Sequence, residues 1–280
     1  MTKSIFQLPA PSAIIIKYAP LIPAILLAGC VTPMTADNFK PKPPSVSAEN
    51  SPIVGTVGYR LRTSGVSTTG STTKGNWEMG NYFGTWSTKG SSSDVFIRKI
   101  HKSKTTFTLN GGGFTQPLSA ECKGRSHKSD WDWYALKPND LKYVCEFDDQ
   151  TTKFEVVLEN KNSVIGALIN SRVGQIRHDG SELRLEEREV SGPNYKASDN
   201  DGYLFEAAGK TVAAFDYRDR DNEPETYSYD HFDVFLPPEN DPNHKAAVVA
   251  AIALAFFDDP KRRNKCSAGD DMPDYKARRC

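Results

Sequence analysis

From Leu141 to Val190 the chain alternates apolar and polar residues with a period of two. Leu141, Tyr143, Cys145 and Phe147 interleave with Lys142, Val144, Glu146 and Asp148. Phe154, Val156 and Leu158 interleave in the same way with Lys153, Glu155, Val157 and Glu159. A strand sends successive side chains to opposite faces, so this pattern describes a sheet with one buried face and one wetted face. The punctuation agrees. Asp148-Asp149-Gln150, Asn160-Lys161-Asn162 and Asp179-Gly180 separate the runs, and Asp-Gly between two β runs is a strong hairpin signal. Glu182 to Glu189 follows directly on Asp-Gly and is read as a strand. The segment is therefore an antiparallel meander of about five strands.

The flanking sequence extends the same architecture. Ile53 to Arg62 is the first strand candidate, followed by a Ser/Thr/Gly stretch from Thr63 to Gly75. Thr73-Lys74-Gly75 and Thr88-Lys89-Gly90 read as turns. Between them Trp77, Met79, Tyr82, Phe83 and Trp86 are expected on a strand interrupted by glycine, a residue that often marks a bulge or tight bend. Asp94–Ile100 and Thr105–Leu109 are β-rich, Asn110 to Gly113 is a loop, and Trp131, Trp133 and Tyr134 mark a short aromatic strand. Tyr203–Ala207, Thr211–Tyr217 and Thr226–Leu236 add three more. One helix is expected over His244 to Phe257, with Asp241 as N-cap and Pro242 at the first helical position. Ala246 to Phe257 is apolar all round and too short for a bilayer, which needs about 20 residues. Such a helix is buried against a sheet or plugs a barrel end. The expected fold is mainly β, an antiparallel barrel or two-sheet sandwich over residues 53–260 with one C-terminal helix packed on it.

The N-terminal segment has a different logic. Lys3 and Lys17 are its only charges, Tyr18 to Leu27 is apolar, and small residues follow. That order is a secretory signal: positive, apolar, small. Leu27-Ala28-Gly29-Cys30 then resembles the lipobox of bacterial lipoproteins. The resemblance covers the first 30 residues and implies residues 1–29 as a signal peptide, cleavage before Cys30, and a diacylglycerol on its thiol with further acylation of the new amino group. Val31 is not Asp, so the familiar inner-membrane retention signal is missing, and the implied location is the outer membrane, lipid-anchored, facing periplasm or surface. The lipid bilayer is thus one expected partner, held through the Cys30 acyl chains. Residues 30–52, with Pro33, Pro41, Pro43, Pro44 and Pro52, read as an extended tether. Residues 261–280 read as a basic tail.

Export also explains the cysteines. With Cys30 lipidated, Cys122, Cys145, Cys266 and Cys280 remain, an even number suited to disulfides in an oxidising compartment. Three connectivities are open, and pairing of sequence neighbours, Cys122–Cys145 and Cys266–Cys280, is the expectation. Alternation places Cys145 on the core side of its strand.

The search for chemistry is largely negative. Lys plus Arg and Asp plus Glu are balanced at 35 each; with export, that balance argues against nucleic acid as a partner. The sequence has no GxSxG elbow, HExxH, Walker loop or GxGxxG motif. Ser71 to Lys74 spells SxxK in a β-type stretch that lacks the required helix start. His101, His127, His178, His231 and His244 fall in separate elements. The acidic run Asp216 to Asp233 lacks the spacing of a calcium loop and contains Arg218 and Arg220. No cofactor, metal or catalytic residue is assigned. Trp77, Tyr82, Trp86, Trp131 and Trp133 are the candidate binding surface for an envelope protein or glycan, because exposed aromatics stack on sugars and anchor interfaces. The expectation is an envelope lipoprotein serving as a non-catalytic binding or structural module. The alternative is an envelope hydrolase acting on glycan or peptide.

Overall fold

The computed structural model describes residues 34–35, 39–40, 51–95, 98–129, 141–162, 168–189, 201–216 and 232–257, all within the unit Val31–Cys280. These residues form twelve strands and one helix. The strands are β1 (Val57–Thr69), β2 (Thr72–Met79), β3 (Tyr82–Val95), β4 (Arg98–Gly111), β5 (Leu118–Ser129) and β6 (Leu141–Phe147). They continue with β7 (Lys153–Asn162), β8 (Leu168–His178), β9 (Ser181–Glu189), β10 (Asp201–Ala207), β11 (Lys210–Asp216) and β12 (Phe232–Leu236). Each pairs antiparallel with its sequence neighbours, and β12 closes on β1 from Val57↔Leu236 to Leu61↔Phe232. The fold is a closed up-and-down barrel, which leaves no unpaired sheet edge.

Local chemistry sets the turns and corners. Asp179 and Gly180 have φ of 48° and 79°, the paired left-handed conformation that suits a two-residue hairpin. Ala208 and Gly209 do the same between β10 and β11 with φ of 49° and 76°. At Gly84 a Cβ would sit 1.8 Å from the Thr108 carbonyl oxygen. The bare backbone lets β4 lean inward there, and the Trp77 indole N–H donates to the same oxygen at 3.0 Å.

The helix α1 (His244–Ala255) explains how a barrel this wide is filled. Barrel diameter grows with strand number, and eight strands already hold a full set of side chains. Twelve leave a lumen that side chains from the wall alone would not fill. Every residue of α1 except Lys245 is buried. It packs on β8, β9, β11 and β12. At its far end Phe256 stacks on Trp86 of β3 at 4.9 Å, and Phe257 meets Tyr143 of β6 at 4.5 Å. Small alanines keep the rod thin, and wall aromatics fill the remaining space. Trp77, Tyr143, Phe154, Phe205 and Phe215 are all fully buried in one continuous core with the helix.

The wall also satisfies the helix ends. A buried C-terminus leaves carbonyls without intrahelical partners. The Tyr143 hydroxyl donates to the Ala253 carbonyl at 3.3 Å, and the buried Thr105 hydroxyl donates to the Phe256 carbonyl at 3.2 Å. At the entry, His244 lies 2.6 Å from the Pro237 carbonyl through Nδ1 and 2.6 Å from the Tyr82 hydroxyl through Nε2. The carbonyl can only accept, so Nδ1 carries the proton, and in the neutral ring Nε2 accepts from Tyr82. Beyond the helix exit the lumen is lined by a charged pair, with the Arg172 guanidinium 5.6 Å from the centre of the Phe257 ring and 3.7 Å from Glu187.

Several expectations are borne out and others are corrected. Of barrel and sandwich, the chain forms the barrel, with its helix at the C-terminal end packed in it. Cys122 and Cys145 face inward as direct cross-strand partners and form a disulfide. Thr63 to Gly75 is strand rather than a Ser/Thr/Gly connection, because β1 and β2 extend as a polar hairpin to Gly70. Trp77 to Trp86 is two strands turning at Gly80, where φ is 58°, and not one interrupted strand. The helix starts at His244 with Asn243 at its N-cap, two residues beyond the expected Asp241. Asp241 instead caps the preceding turn: its carboxylate accepts from the Asn243 N–H at 2.8 Å and its carbonyl from the His244 N–H at 3.1 Å. Cys30, Cys266, Cys280, Trp131 and Trp133 lie outside the described residues.

Candidate functional site

The expected aromatic surface is not a surface where the structure describes it. Trp77 is 0%, Tyr82 1% and Trp86 9% exposed. All three point into the lumen, where Phe256 and His244 cover them. Alternation governs here: Tyr82, Gly84 and Trp86 share the inward face of β3, which the helix needs for packing. These residues serve the core, and a ligand site inside the barrel is already occupied by α1.

The outer wall is built from the complementary positions. Lys102, Lys104, Lys123, Arg125, Lys142, Lys153, Arg177, Glu182 and Arg184 all face out and are exposed. A lipid-spanning barrel has the reverse pattern, an apolar belt outside. The described outer face is polar and exposed. Among the described residues, Phe235 and Ala214 form an apolar patch on the outside, packed against Ile53 and Leu204.

A second cover lies across β2 and β3. The Met34 N–H donates to the Asn76 side-chain oxygen at 3.1 Å, and the Phe39 ring stacks on Phe83 at 4.2 Å. Asn76 and Phe83 face outward yet are both only 6% exposed. Two pieces of the expected tether therefore rest on the barrel.

Beside this cover an open groove of about 680 Å³ runs over the outer faces of β2 to β6. Its floor is Thr85, Ser87, Thr106, Thr108 and Ser119, and its acidic members are Glu121, Glu146 and Asp148. Glu121 and Glu146 are direct cross-strand partners, an arrangement of like charges that costs stability unless cations intervene. Lys104 lies 2.8 Å from Glu121, and Lys123 reaches both carboxylates at 3.5 and 3.7 Å. The Lys104 hydrogen bond, helped by Lys123, holds the Glu121 carboxyl below its ordinary value. Asp148 accepts the Ser119 N–H at 3.0 Å. A paired-carboxylate hydrolase needs one acid held protonated near neutrality.

One cluster has the residue types of nucleophilic catalysis. The Thr152 hydroxyl is 2.6 Å from Asp149 Oδ2 and 2.5 Å from His178 Nδ1. Burial would raise the Asp149 carboxyl, but hydrogen bonds from the Thr152 and Thr151 hydroxyls and backbone N–H groups outweigh it and hold it low. Thr152 thus donates to an ionised carboxylate, and His178 Nδ1 donates to the same hydroxyl oxygen. A base for Thr152 would need a bare nitrogen there. Thr152 is 3% exposed. The cluster locks the β6–β7 turn to the end of β8. Among the described residues no group of three or more His, Cys, Asp or Glu is placed to hold a metal ion.

Sequence reasoning did not single out the groove. Its signal was present: Glu146 and Asp148 stand on the polar side of the alternation. The Glu121–Glu146 adjacency depends on register between β5 and β6, which spacing does not reveal. No family model matches the chain, and neither a curated protein nor a solved structure is detectably similar to it.

Proposed function

We propose that the protein is a lipid-anchored envelope lipoprotein whose barrel is a non-catalytic binding module that presents its outer wall to an envelope protein or glycan. The observation that carries the binding reading is the filled lumen. With α1, Phe256 and Phe257 inside, the described barrel offers partners its exterior, where the β2–β6 groove is an open concavity of about 680 Å³. The groove combines hydroxyls from Thr85, Thr106 and Thr108 with ion-paired Lys and Glu side chains, chemistry that hydrogen-bonds sugars or peptide backbone. The anchor reading rests on Leu27-Ala28-Gly29-Cys30, and the location, outer membrane facing periplasm or surface, follows from it.

The test is photo-crosslinking in cells from a probe residue at Thr108, with a probe at Lys210 on the opposite wall as control. One dominant protein or glycan adduct from Thr108 alone supports the reading. Equal, diffuse labelling from both positions overturns it. In the same strain, Cys30→Ala should abolish acylation and membrane retention.

A further inference from the structure

Strand pairing sets the outward residues of the β2–β6 groove in two rows that cross the strands. Lys74, Ser87, Thr106, Glu121 and Glu146 are successive cross-strand partners from β2 to β6. In the second row the Thr85 N–H donates to the Thr108 hydroxyl at 3.0 Å, and Thr108 is the partner of Ser119. Asp148 closes that row by accepting the Ser119 N–H at 3.0 Å. Neighbouring strands lie about 4.8 Å apart, so the longer row spans about 19 Å, and the two rows stand about 6.8 Å apart along the strands. The groove floor is thus a ladder of short polar side chains repeating at the strand spacing.

The chemistry of this ladder selects among partners. A hydroxyl both donates and accepts, and among the described residues the Ser87 and Thr106 hydroxyls have no hydrogen-bond partner of their own. Threonine also sets a methyl beside each hydroxyl, matching the alternation of C–H and O–H on a pyranose ring. Protein interfaces concentrate their energy in aromatic, Met and Arg anchors. The aromatic residues that border this groove, Trp86, Phe107 and Phe147, turn their rings into the core instead. Extended peptides are commonly held by pairing with a free sheet edge, and the closed barrel has none. An acidic polymer would meet Glu121, Glu146 and Asp148, while Lys104 and Lys123 are already engaged by Glu121. A β-linked pyranose unit is about as long as the strand spacing, so a linear chain laid across the strands brings one sugar to each step of the ladder. We propose that the groove binds an uncharged, linear β-linked glycan, lying across β2–β6 with about four sugar units on the two rows. This inference rests on the binding-module reading and narrows its partner to a glycan.

The test is titration calorimetry on the mature protein extracted from membranes, with the dimer, tetramer and hexamer of β-linked N-acetylglucosamine as probes. A hydrogen bond or more from each added unit should make the tetramer at least about tenfold tighter than the dimer. The hexamer, whose ends overhang the ladder, should equal the tetramer. Ser87→Ala with Thr106→Val removes two hydroxyls from the floor and should weaken the tetramer about tenfold, while Lys210→Gln on the opposite wall should leave it unchanged. The length series uses the native chain, so it decides even where the double variant loses stability. Equal affinity for dimer and tetramer, tighter binding of a β-linked glucuronic acid tetramer, or no binding of any probe overturns the proposal. A stable double variant that binds the tetramer as the native chain does also overturns it, because the glycan then lies elsewhere. If the titrations fail while a probe at Thr108 still captures one dominant protein, the glycan falls and the binding-module reading stands; failure of both removes both.

Discussion

Replacing Phe256 with alanine tests whether the helix is the core of the barrel or an accessory to it. Phe256 is 5% exposed. Its ring stacks on Trp86 at 4.9 Å with planes 13° apart, and lies 6.4 Å from both Trp77 and Phe107. Truncating a buried phenylalanine costs about 3–5 kcal/mol, from lost transfer energy and the cavity left behind. Aromatic pairing adds about 0.5–1.5 kcal/mol for a well-placed pair. The site cannot relax easily, because the Thr105 hydroxyl holds the Phe256 carbonyl and the closed wall cannot collapse inward. The upper part of the range follows, about 4–5 kcal/mol. Urea unfolding followed by tryptophan fluorescence reads it, since Trp86 and Trp77 both lose a ring neighbour. Phe256→Leu keeps most of the volume and should cost under about 2 kcal/mol. A loss below about 1 kcal/mol for Phe256→Ala, the level of an ordinary surface change, would refute the lumen-filling role.

Three further outcomes follow from the same structure. Cys122→Ala with Cys145→Ala opens a crosslink between residues 23 apart and should lower stability by about 3 kcal/mol; a change below about 1 kcal/mol would contradict it. Non-reducing peptide mapping should recover Cys122–Cys145, and under the proposed pairing also Cys266–Cys280; a peptide joining Cys266 to Cys122 or Cys145 would refute the pairing. Burial holds His178 below its ordinary value of 6.5, with Lys245 adding to this and Asp149 and Asp179 opposing it. The unfolded chain then takes up a proton that the folded ring refuses, so this contribution is complete above pH 6.5 and declines as pH falls below it. The urea midpoint should fall between about pH 7.5 and 5.5, less steeply in His178→Gln; equal slopes would count against it.

The alternating segments were the legible part of this fold. Leu141–Phe147 and Phe154–Val156 have the face assignment that their period of two implies, and Asp179-Gly180 turns where its chemistry requires. The all-apolar composition of Ala246–Phe257 implied burial on every side. What the sequence could not display was closure. Whether the sheet curls until β12 meets β1 depends on strand number and corner glycines such as Gly84, whose role appears only when β4 is beside it. The aromatic residues misled for a related reason. Trp77, Tyr82 and Trp86 look like a recognition set when no plug is known, and become its socket once α1 is inside. On the outer wall, the groove acids and hydroxyl rows are products of register, not of spacing. The contacts of Met34 with Asn76 and of Phe39 with Phe83 were hidden because Pro-rich, polar composition gives no pattern that marks a packed residue.

The most direct measurement is the intact mass of the protein purified from cell membranes, with fragmentation of its N-terminal peptide. A mature chain beginning at Cys30, carrying diacylglycerol on the thiol and an acyl group on the amino terminus, is the expected result. A chain that retains residues 1–29, or begins elsewhere with an unmodified Cys30, would contradict the account.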